Sequence, residues 1–97
     1  MNEWVPKKSI AAIPLYGLRT FEVVARYMSL KKAAEELNVT PSAVSHRLRV
    51  LDRVLGCSLI HRQGAEKQLT ENRRMLAPAL SDGFETIVDA VGNLQPG

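Results

Sequence analysis

Residues 29–45, SLKKAAEELNVTPSAVS, decide the fold of this chain. The segment after Ser29 consists of strong helix formers, and the serine hydroxyl can cap their first turn. Asn38 tolerates the left-handed conformation that ends a helix. Thr40 and Pro41 then form a start signal, a capping hydroxyl followed by a proline at the first helical position. The stretch therefore predicts two helices joined by a tight turn.

Helical periodicity extends to both sides of this turn. Over residues 15–27 and just beyond, apolar residues recur at steps of three and four: Leu18, Phe21, Val24, Ala25 and Met28. The helix that starts at Pro41 continues to residue 55, where Gly56 stops it, with one apolar stripe: Val44, Leu48, Leu51 and Leu55. The sequence thus predicts three consecutive helices.

Two short extended segments and a long helix are predicted after Gly56. Residues 59–62 and 67–70 flank a four-residue turn with Gly64, which indicates a two-stranded hairpin. Thr70 can cap a last helix whose apolar residues recur at coiled-coil-like steps: Leu76, Leu80, Phe84, Ile87, Val91 and Leu94. We expect Pro78 to kink or loosen the first turns of this helix. The fold class is mostly α.

Charge is divided unevenly along the 97 residues. Residues 1–74 hold all 13 Lys and Arg with 7 Asp and Glu, a formal charge of +6, whereas residues 75–97 hold three acidic residues and a charge of −3. A basic body suits a polyanion such as nucleic acid, although a modest excess of Lys and Arg is also an ordinary solvated surface. The first dozen residues lack a helical stripe and are expected to form a loose arm, with Trp4 packed on the body or on a partner.

No arrangement of an enzyme is recognisable. The chain lacks a Gly-rich phosphate loop, a metal-binding Cys or His spacing, and a Ser, His and acid motif, so we expect no catalytic residue, no cofactor and no metal. His46 and His61 are too few ligands for a metal site. The single Cys57 is expected to be a buried thiol. Without a signal peptide or an apolar run of about 18 residues, a cytoplasmic, nucleoid-associated location is expected.

The paired helices suggest how the chain can read DNA. A second helix that follows a short turn and opens with small polar residues fits the major groove, with its first residues against base edges. The alternative is that the three helices form only a structural core. The small side chains at the start of the third helix, which let a DNA backbone approach closely, favour the first interpretation: Thr40, Pro41, Ser42 and Ser45.

Four sequence motifs follow one another in an order that resembles one known protein family. The chain resembles the N-terminal domain of LysR-type transcriptional regulators in four stretches: LRTF at 18–21, residues 29–45, LDRVLG at 51–56 and LT at 69–70. The branch with the glycine-cleavage and β-lactamase regulators is the most similar, over residues 13–94. The resemblance implies a winged helix-turn-helix at residues 14–71, after a flexible arm at 1–13. It also implies a linker helix at 72–95 that pairs in a homodimer.

The resemblance also implies which residues contact double-stranded DNA at a near-palindromic site. Those matching the start of the family's recognition helix are Thr40, Pro41, Ser42, Ser45 and His46, and the hairpin of residues 59–70 is the wing. The chain departs from the family at Ile60, where Phe is usual, and at Asn72-Arg73, where a small residue and glycine are usual. Family members also carry an effector-binding domain, so the chain is either an excised fragment or a stand-alone module without an effector site.

Several of the candidate DNA-contacting residues also have an ordinary structural interpretation. Arg49 is favoured over Arg47 for a phosphate contact, His46 can face a base or be an idle surface residue, and Ser45 can bond within its own helix. Lys31 and Lys32 can contact phosphate, although cations at a helix start oppose the helix dipole. In the wing, Arg62, Gly64 and Lys67 suit the minor groove or its phosphates, but a charged hairpin tip is also simply well solvated.

The last helix is predicted to dimerise the protein through Leu80, Phe84, Ile87, Val91 and Leu94, because so small a domain leaves little groove for a long helix. A rival function is an interaction module that pairs with full-length regulators and blocks their assembly. The basic body, which suits DNA, favours a regulator.

Overall fold

The computed structural model describes residues 13–63, 66–69 and 71–96. Its elements in chain order are α1 (Leu15–Tyr27), α2 (Leu30–Leu37), α3 (Pro41–Leu55), β1 (Ile60–Gln63), β2 (Glu66–Leu69) and α4 (Glu71–Gly92). The first three helices have the bounds that the sequence predicts. The expected N-terminal arm, apart from Ile13, lies outside the described residues.

Side-chain caps define the turn between α2 and α3. The Ser29 hydroxyl accepts a hydrogen bond from the Lys32 amide at 3.1 Å, and the Thr40 hydroxyl accepts one from the Ala43 amide at the same distance. Asn38 takes the left-handed conformation, with φ of 61°. Each of these local signals satisfies backbone groups that a helix end leaves unpaired. The turn therefore holds α3 at a defined position against α2.

The hydrophobic core lies between α1, α2 and α3. Its most buried members are Phe21, Val23, Ala33, Val44, Leu51 and Leu59. The two helices α1 and α3 approach closely at Gly17, where an added Cβ would lie 3.1 Å from Cδ1 of Leu51. Met28, expected on the buried face of α1, is instead its left-handed C-cap residue and is exposed. The helix ends before Met28 can continue the stripe.

Asp52 organises the exit from α3. Its backbone carbonyl accepts hydrogen bonds from the amides of Gly56 and Cys57, and its carboxylate accepts one from the Leu59 amide at 3.2 Å. Burial raises the pKa of this carboxyl, against the Leu59 bond that lowers it. Cys57 is half-buried. These bonds direct the chain from α3 into the hairpin.

Strands β1 and β2 pair in an antiparallel hairpin. In the register, Ile60 lies opposite Leu69 and Arg62 lies opposite Lys67. The sequence predicts strands at 59–62 and 67–70, whereas β1 begins one residue later, without Leu59, and ends at Gln63, and β2 begins one residue earlier, at Glu66. The turn residue Gly64 lies outside the described residues.

The long helix α4 has two unlike halves. The helix continues through Pro78, and its first half packs on α1, where the apolar residues are half-buried against the core: Leu76, Ala77, Leu80 and Phe84. In its second half Ile87, Val88 and Val91 are exposed. Leu94, expected on the same helical stripe, lies beyond the end of the helix at Gly92 and is also exposed. The domain therefore does accommodate part of this helix, contrary to the expectation from its small size. Thr70, the expected cap, lies outside the described residues.

Candidate nucleic-acid interface

One face of α3 is polar and exposed. Steps of four, three and four residues place four side chains on this face, Ser42, His46, Arg49 and Arg53, and all four are exposed. The opposite side of the helix, with Val44, is buried in the core. We call these four residues and Ser45 the α3 polar face. Its two arginines give it a positive charge.

Ser45 and Arg49 contact each other on this face. The Arg49 guanidinium donates a hydrogen bond from Nη1 to the Ser45 hydroxyl oxygen at 3.3 Å. Ser45 is half-buried, whereas Thr40, Pro41 and His46 at the start of the helix are exposed. This hydrogen bond orients the Arg49 side chain toward the N-terminal end of α3, where the side chains are small.

The starts of α2 and α3 add to the positive potential. Neither helix has an acidic residue in its first turn, so the positive end of each helix dipole lacks a neighbouring carboxylate there. Lys31 and Lys32 are exposed in the first turn of α2. An anion can approach both of these helix ends.

The hairpin candidates are described only in part. Arg62 and Lys67 are paired across the two strands, which places two basic residues at one position along the hairpin. Their side chains, and Gly64 entirely, lie outside the described residues. The α3 polar face and the α2 lysines are therefore the candidates whose side chains can be located.

An ionic network joins α2 to α1, and only its contact within α1, between Arg26 and Glu22, has a helical spacing that sequence shows. Arg26 donates hydrogen bonds to Glu22 and to Glu36, each at 2.9 Å from Nη2, and the Tyr27 hydroxyl donates to Glu36 at 2.7 Å. The Arg26 guanidinium lowers the pKa of both carboxyls, and Glu36 raises the pKa of Tyr27. The network supports the helix that precedes the turn.

Arg73 is the other residue whose position was unexpected. It is 1% exposed, and its guanidinium carbon lies 5.6 Å from the centre of the Phe21 ring. Nη2 lies 2.7 Å from the Met28 sulfur. Burial lowers the pKa of this guanidinium. Arg73 departs from the family pattern in sequence, and in the structure it joins the start of α4 to the core.

Within residues 13–63, 66–69 and 71–96, no group of three His, Cys, Asp or Glu is placed to hold a metal ion. Among the described helices, none combines the length and apolar character needed to cross a membrane.

A family model for the bacterial regulatory helix-turn-helix proteins of the lysR family matches residues 15–72. The chain belongs to the LysR family. The match includes α1, the turn between α2 and α3, and the hairpin, so the α3 polar face lies on the DNA-binding domain of a LysR-type transcriptional regulator. The family consists of DNA-binding regulators and not of enzymes.

Curated relatives of this LysR-family chain include β-lactamase and glycine-cleavage regulators, the branch that the sequence resembles. It is 41% identical over 85 residues to the HTH-type transcriptional activator AmpR of Yersinia enterocolitica, covering 88% of this chain and 29% of that protein. It is 39% identical over 85 residues to a carbapenem-hydrolyzing β-lactamase transcriptional activator of Serratia marcescens, covering 88% and 29%. It is 38% identical over 82 residues to the glycine cleavage system transcriptional activator of Escherichia coli, covering 84% and 27%. The chain thus spans under a third of these relatives.

Solved structures of LysR-family proteins have the same fold. The probable transcriptional regulator PA0477 of Pseudomonas aeruginosa superposes with a TM-score of 0.79 at 28% identity, over 91% of this chain and 29% of that one. DarR of Vibrio fischeri, solved in complex with DNA, superposes with a TM-score of 0.67 at 28% identity, over 78% and 26%. The fold described above is therefore one that a relative uses in a DNA complex.

Proposed function

We propose that this LysR-family domain binds a specific, near-palindromic sequence of double-stranded DNA as a homodimer. The observation that carries the proposal is the α3 polar face, an exposed row with two arginines on the helix that follows the tight turn. The helix lies in the major groove with its first residues against base edges. The capped turn holds it there.

Different residues of this surface have different roles. Ser45 and His46, near the start of α3, read base edges together with Thr40, Pro41 and Ser42. Arg49 binds a backbone phosphate, and its hydrogen bond to Ser45 supports this role by holding the guanidinium along the helix. Lys31 and Lys32 contact phosphate at the positive end of α2. Arg53, which shares the face with Arg49, is a further phosphate contact.

The hairpin serves as the wing. Arg62, Gly64 and Lys67 lie on or beside its turn, and the pairing of Arg62 with Lys67 supports a joint approach to the minor groove or its phosphates. Residues 14–71 form the winged helix-turn-helix domain in this account, and residues 72–95 form the linker helix.

Dimerisation uses the second half of α4. Ile87 and Val91 are 57% and 60% exposed and lie on one side of the helix, and Leu94, which follows the helix end at Gly92, is 72% exposed. A second copy of the helix, related by a two-fold axis, would bury them and place two α3 helices about one DNA turn, roughly 34 Å, apart. Leu80 and Phe84, at the inner end of the same stripe, pack on their own domain and set the direction of the helix.

The test is a binding titration with duplexes that the chain itself selects from a randomised pool. Affinity is measured for the selected duplex and for a scrambled duplex of equal length, each at two salt concentrations. We expect a preference for the selected duplex and a steep fall in affinity with salt, because phosphate contacts release counterions. Equal affinity for both duplexes would contradict sequence-specific binding. Absence of binding at low salt, with dimers present, would favour the interaction-module alternative.

A further inference from the structure

Helix α4 contains a weak segment between its packed half and its exposed half. Pro78 lacks the amide that would donate a helical hydrogen bond, and Gly83 is a poor helix former. No close approach to another element requires this glycine, because a Cβ added at Gly83 would meet open space among the described residues. The exposed Ile87 and Val91 lie one and two turns after the segment. The helix backbone alone therefore holds the direction of its exposed half only loosely.

Ser81 lies inside this weak segment and bonds to α1. Its hydroxyl donates a hydrogen bond of 2.9 Å to Oε2 of Glu22, which is 7% exposed. The neighbouring Leu80 and Phe84 pack on the core, but apolar contacts are non-directional, whereas a hydrogen bond has a defined length and angle. Ser81 is thus placed to fix the direction in which the second half of α4 leaves the domain.

The carboxylate that accepts this bond is itself held in place. Arg26 donates to both oxygens of Glu22, from Nε at 3.0 Å and from Nη2 at 2.9 Å. The same guanidinium donates to both oxygens of Glu36 on α2, at 3.1 and 2.9 Å. Bidentate pairs of arginine and carboxylate restrict geometry as well as adding energy. Glu22 is therefore a rigid acceptor whose position is tied to α1 and, through Arg26, to the helix that precedes α3.

A second polar contact with α1 lies at the start of α4. The Arg73 guanidinium packs over the Phe21 ring, with its central carbon 5.6 Å from the ring centre. Arg73 and Ser81 are eight residues apart, which is about 12 Å along a helix. Contacts at two separated points define the direction of a helix, whereas a contact at one point leaves it free to swing. Ser81 provides the second of these points.

We propose that Ser81 is a positioning residue that sets which spacing of DNA half-sites the dimer accepts. The inference rests on the proposed function, since it takes the exposed half of α4 as the dimer contact and α3 as the helix that reads DNA. In such a dimer, the angle between α4 and the rest of each domain sets the distance between the two α3 helices.

A small change of this angle is enough to alter the spacing. Each α3 lies about 17 Å from the two-fold axis, which is half of one DNA turn. A rotation of each domain by about 6° therefore changes the separation of the two α3 helices by up to about 3.4 Å, one base-pair step. Without the Ser81 hydroxyl, α4 swings about its weak segment, and the dimer accepts neighbouring spacings.

The test compares duplexes that differ only in the spacing of their half-sites. They are the duplex that the wild-type chain selects and two versions of it, with one base pair inserted or removed at the centre. We expect wild type to lose about tenfold in affinity for either changed spacing, because one half-site is displaced from its α3. Ser81→Ala should lose only about twofold, because α4 can swing to meet the changed spacing.

Two further variants separate the hydroxyl from a general loosening of α4. Ser81→Thr keeps a hydroxyl and should retain the wild-type preference for spacing. Thr86→Ala is the matched control, because the hydroxyl that it removes bonds within α4, to the Asp82 carbonyl, and it should retain the preference as well. Circular dichroism checks the helices, and affinities are measured at concentrations where sedimentation shows dimers.

Several results would overturn the proposal. Ser81→Ala with the wild-type preference for spacing, or with an equal loss of affinity for all three duplexes, would mean that the bond contributes only to stability. The same broadened preference in Ser81→Thr or Thr86→Ala would mean that the bond to Glu22 is not its cause. A monomeric Ser81→Ala would contradict the positioning role, because spacing is then ignored for lack of a partner. Failure of the proposed function is seen separately, as equal affinity of wild type for selected and scrambled duplexes.

Discussion

The Ser81 hydroxyl donates a hydrogen bond of 2.9 Å to the Glu22 carboxylate and so joins α4 to α1. Glu22 is 7% exposed and also accepts two hydrogen bonds from Arg26. Arg26 in turn binds Glu36 on α2. A chain of four side chains, Ser81, Glu22, Arg26 and Glu36, therefore connects α4 to α2, the helix that precedes α3.

Removal of the Ser81 hydroxyl should weaken this connection. We expect Ser81→Ala to lower the free energy of unfolding by about 1 kcal/mol, because a hydrogen bond to a nearly buried carboxylate is lost. Thr86→Ala is the control on the same helix, since the Thr86 hydroxyl donates only to the Asp82 carbonyl one turn earlier. Urea denaturation of both variants measures the difference. Equal effects of the two substitutions would mean that the bond to Glu22 contributes nothing.

The Glu22 network also predicts a dependence of stability on pH. Hydrogen bonds from Arg26, assisted by Ser81 and opposed by burial, lower the pKa of Glu22 below its ordinary 4.5. A lowered folded-state pKa stabilises the protein above the unfolded-state value, and this stabilisation is lost as pH falls through the folded-state value. Wild type should therefore exceed Glu22→Gln in unfolding free energy at neutral pH, and the gap should shrink below about pH 4.5. A gap that stays constant down to about pH 3 would contradict this assignment.

Two adjacent arginines should differ sharply in their effect on stability. Arg73 is buried over Phe21, whereas Arg74 is exposed. Arg73→Ala leaves a cavity and removes the contact with the ring, so we expect a loss of about 2–4 kcal/mol. Arg74→Ala should change stability by less than about 0.5 kcal/mol. Thermal or urea unfolding of the two variants measures the loss of stability in each. Similar losses in both variants would show that burial of Arg73 does not stabilise the fold.

The two halves of α4 should respond differently to substitution. Ile87→Asp, on the exposed half, should give folded monomers that bind the selected duplex much more weakly. Phe84→Ala, on the half-buried part, should lower the unfolding free energy by about 1–3 kcal/mol. Sedimentation gives the oligomeric state and urea denaturation the stability. A wild-type chain that is monomeric at micromolar concentration, with Ile87→Asp unfolded, would mean that the whole stripe belongs to its own domain.

The first three helices were predictable because their ends depend on local chemistry. Ser29, Thr40 and Gly56 each act on backbone groups within one turn, and such signals are visible in sequence. The α3 polar face was largely predictable too, since helical periodicity decides which residues share a side. Arg53 belongs to that face and was not singled out, although it lies four residues after Arg49.

What sequence could not predict depends on tertiary packing. Arginine is rarely buried, so the burial of Arg73 depends on how α4 crosses α1 and not on any local pattern. The stripe of α4 likewise predicts one apolar side but not what covers it. Leu80 and Phe84 pack on the domain, whereas Ile87 lies beyond its reach and is exposed.

The most direct test of the account is the ratio of affinities for selected and scrambled duplexes in three variants of α3. Ser45→Ala and His46→Ala should reduce this ratio, each by up to about 1–3 kcal/mol of discrimination, because they remove base contacts. Arg49→Ala should weaken both duplexes alike and make the salt dependence less steep, because it removes a phosphate contact. If Ser45→Ala and His46→Ala both leave the ratio of wild type unchanged, α3 does not read the sequence and the central claim is wrong.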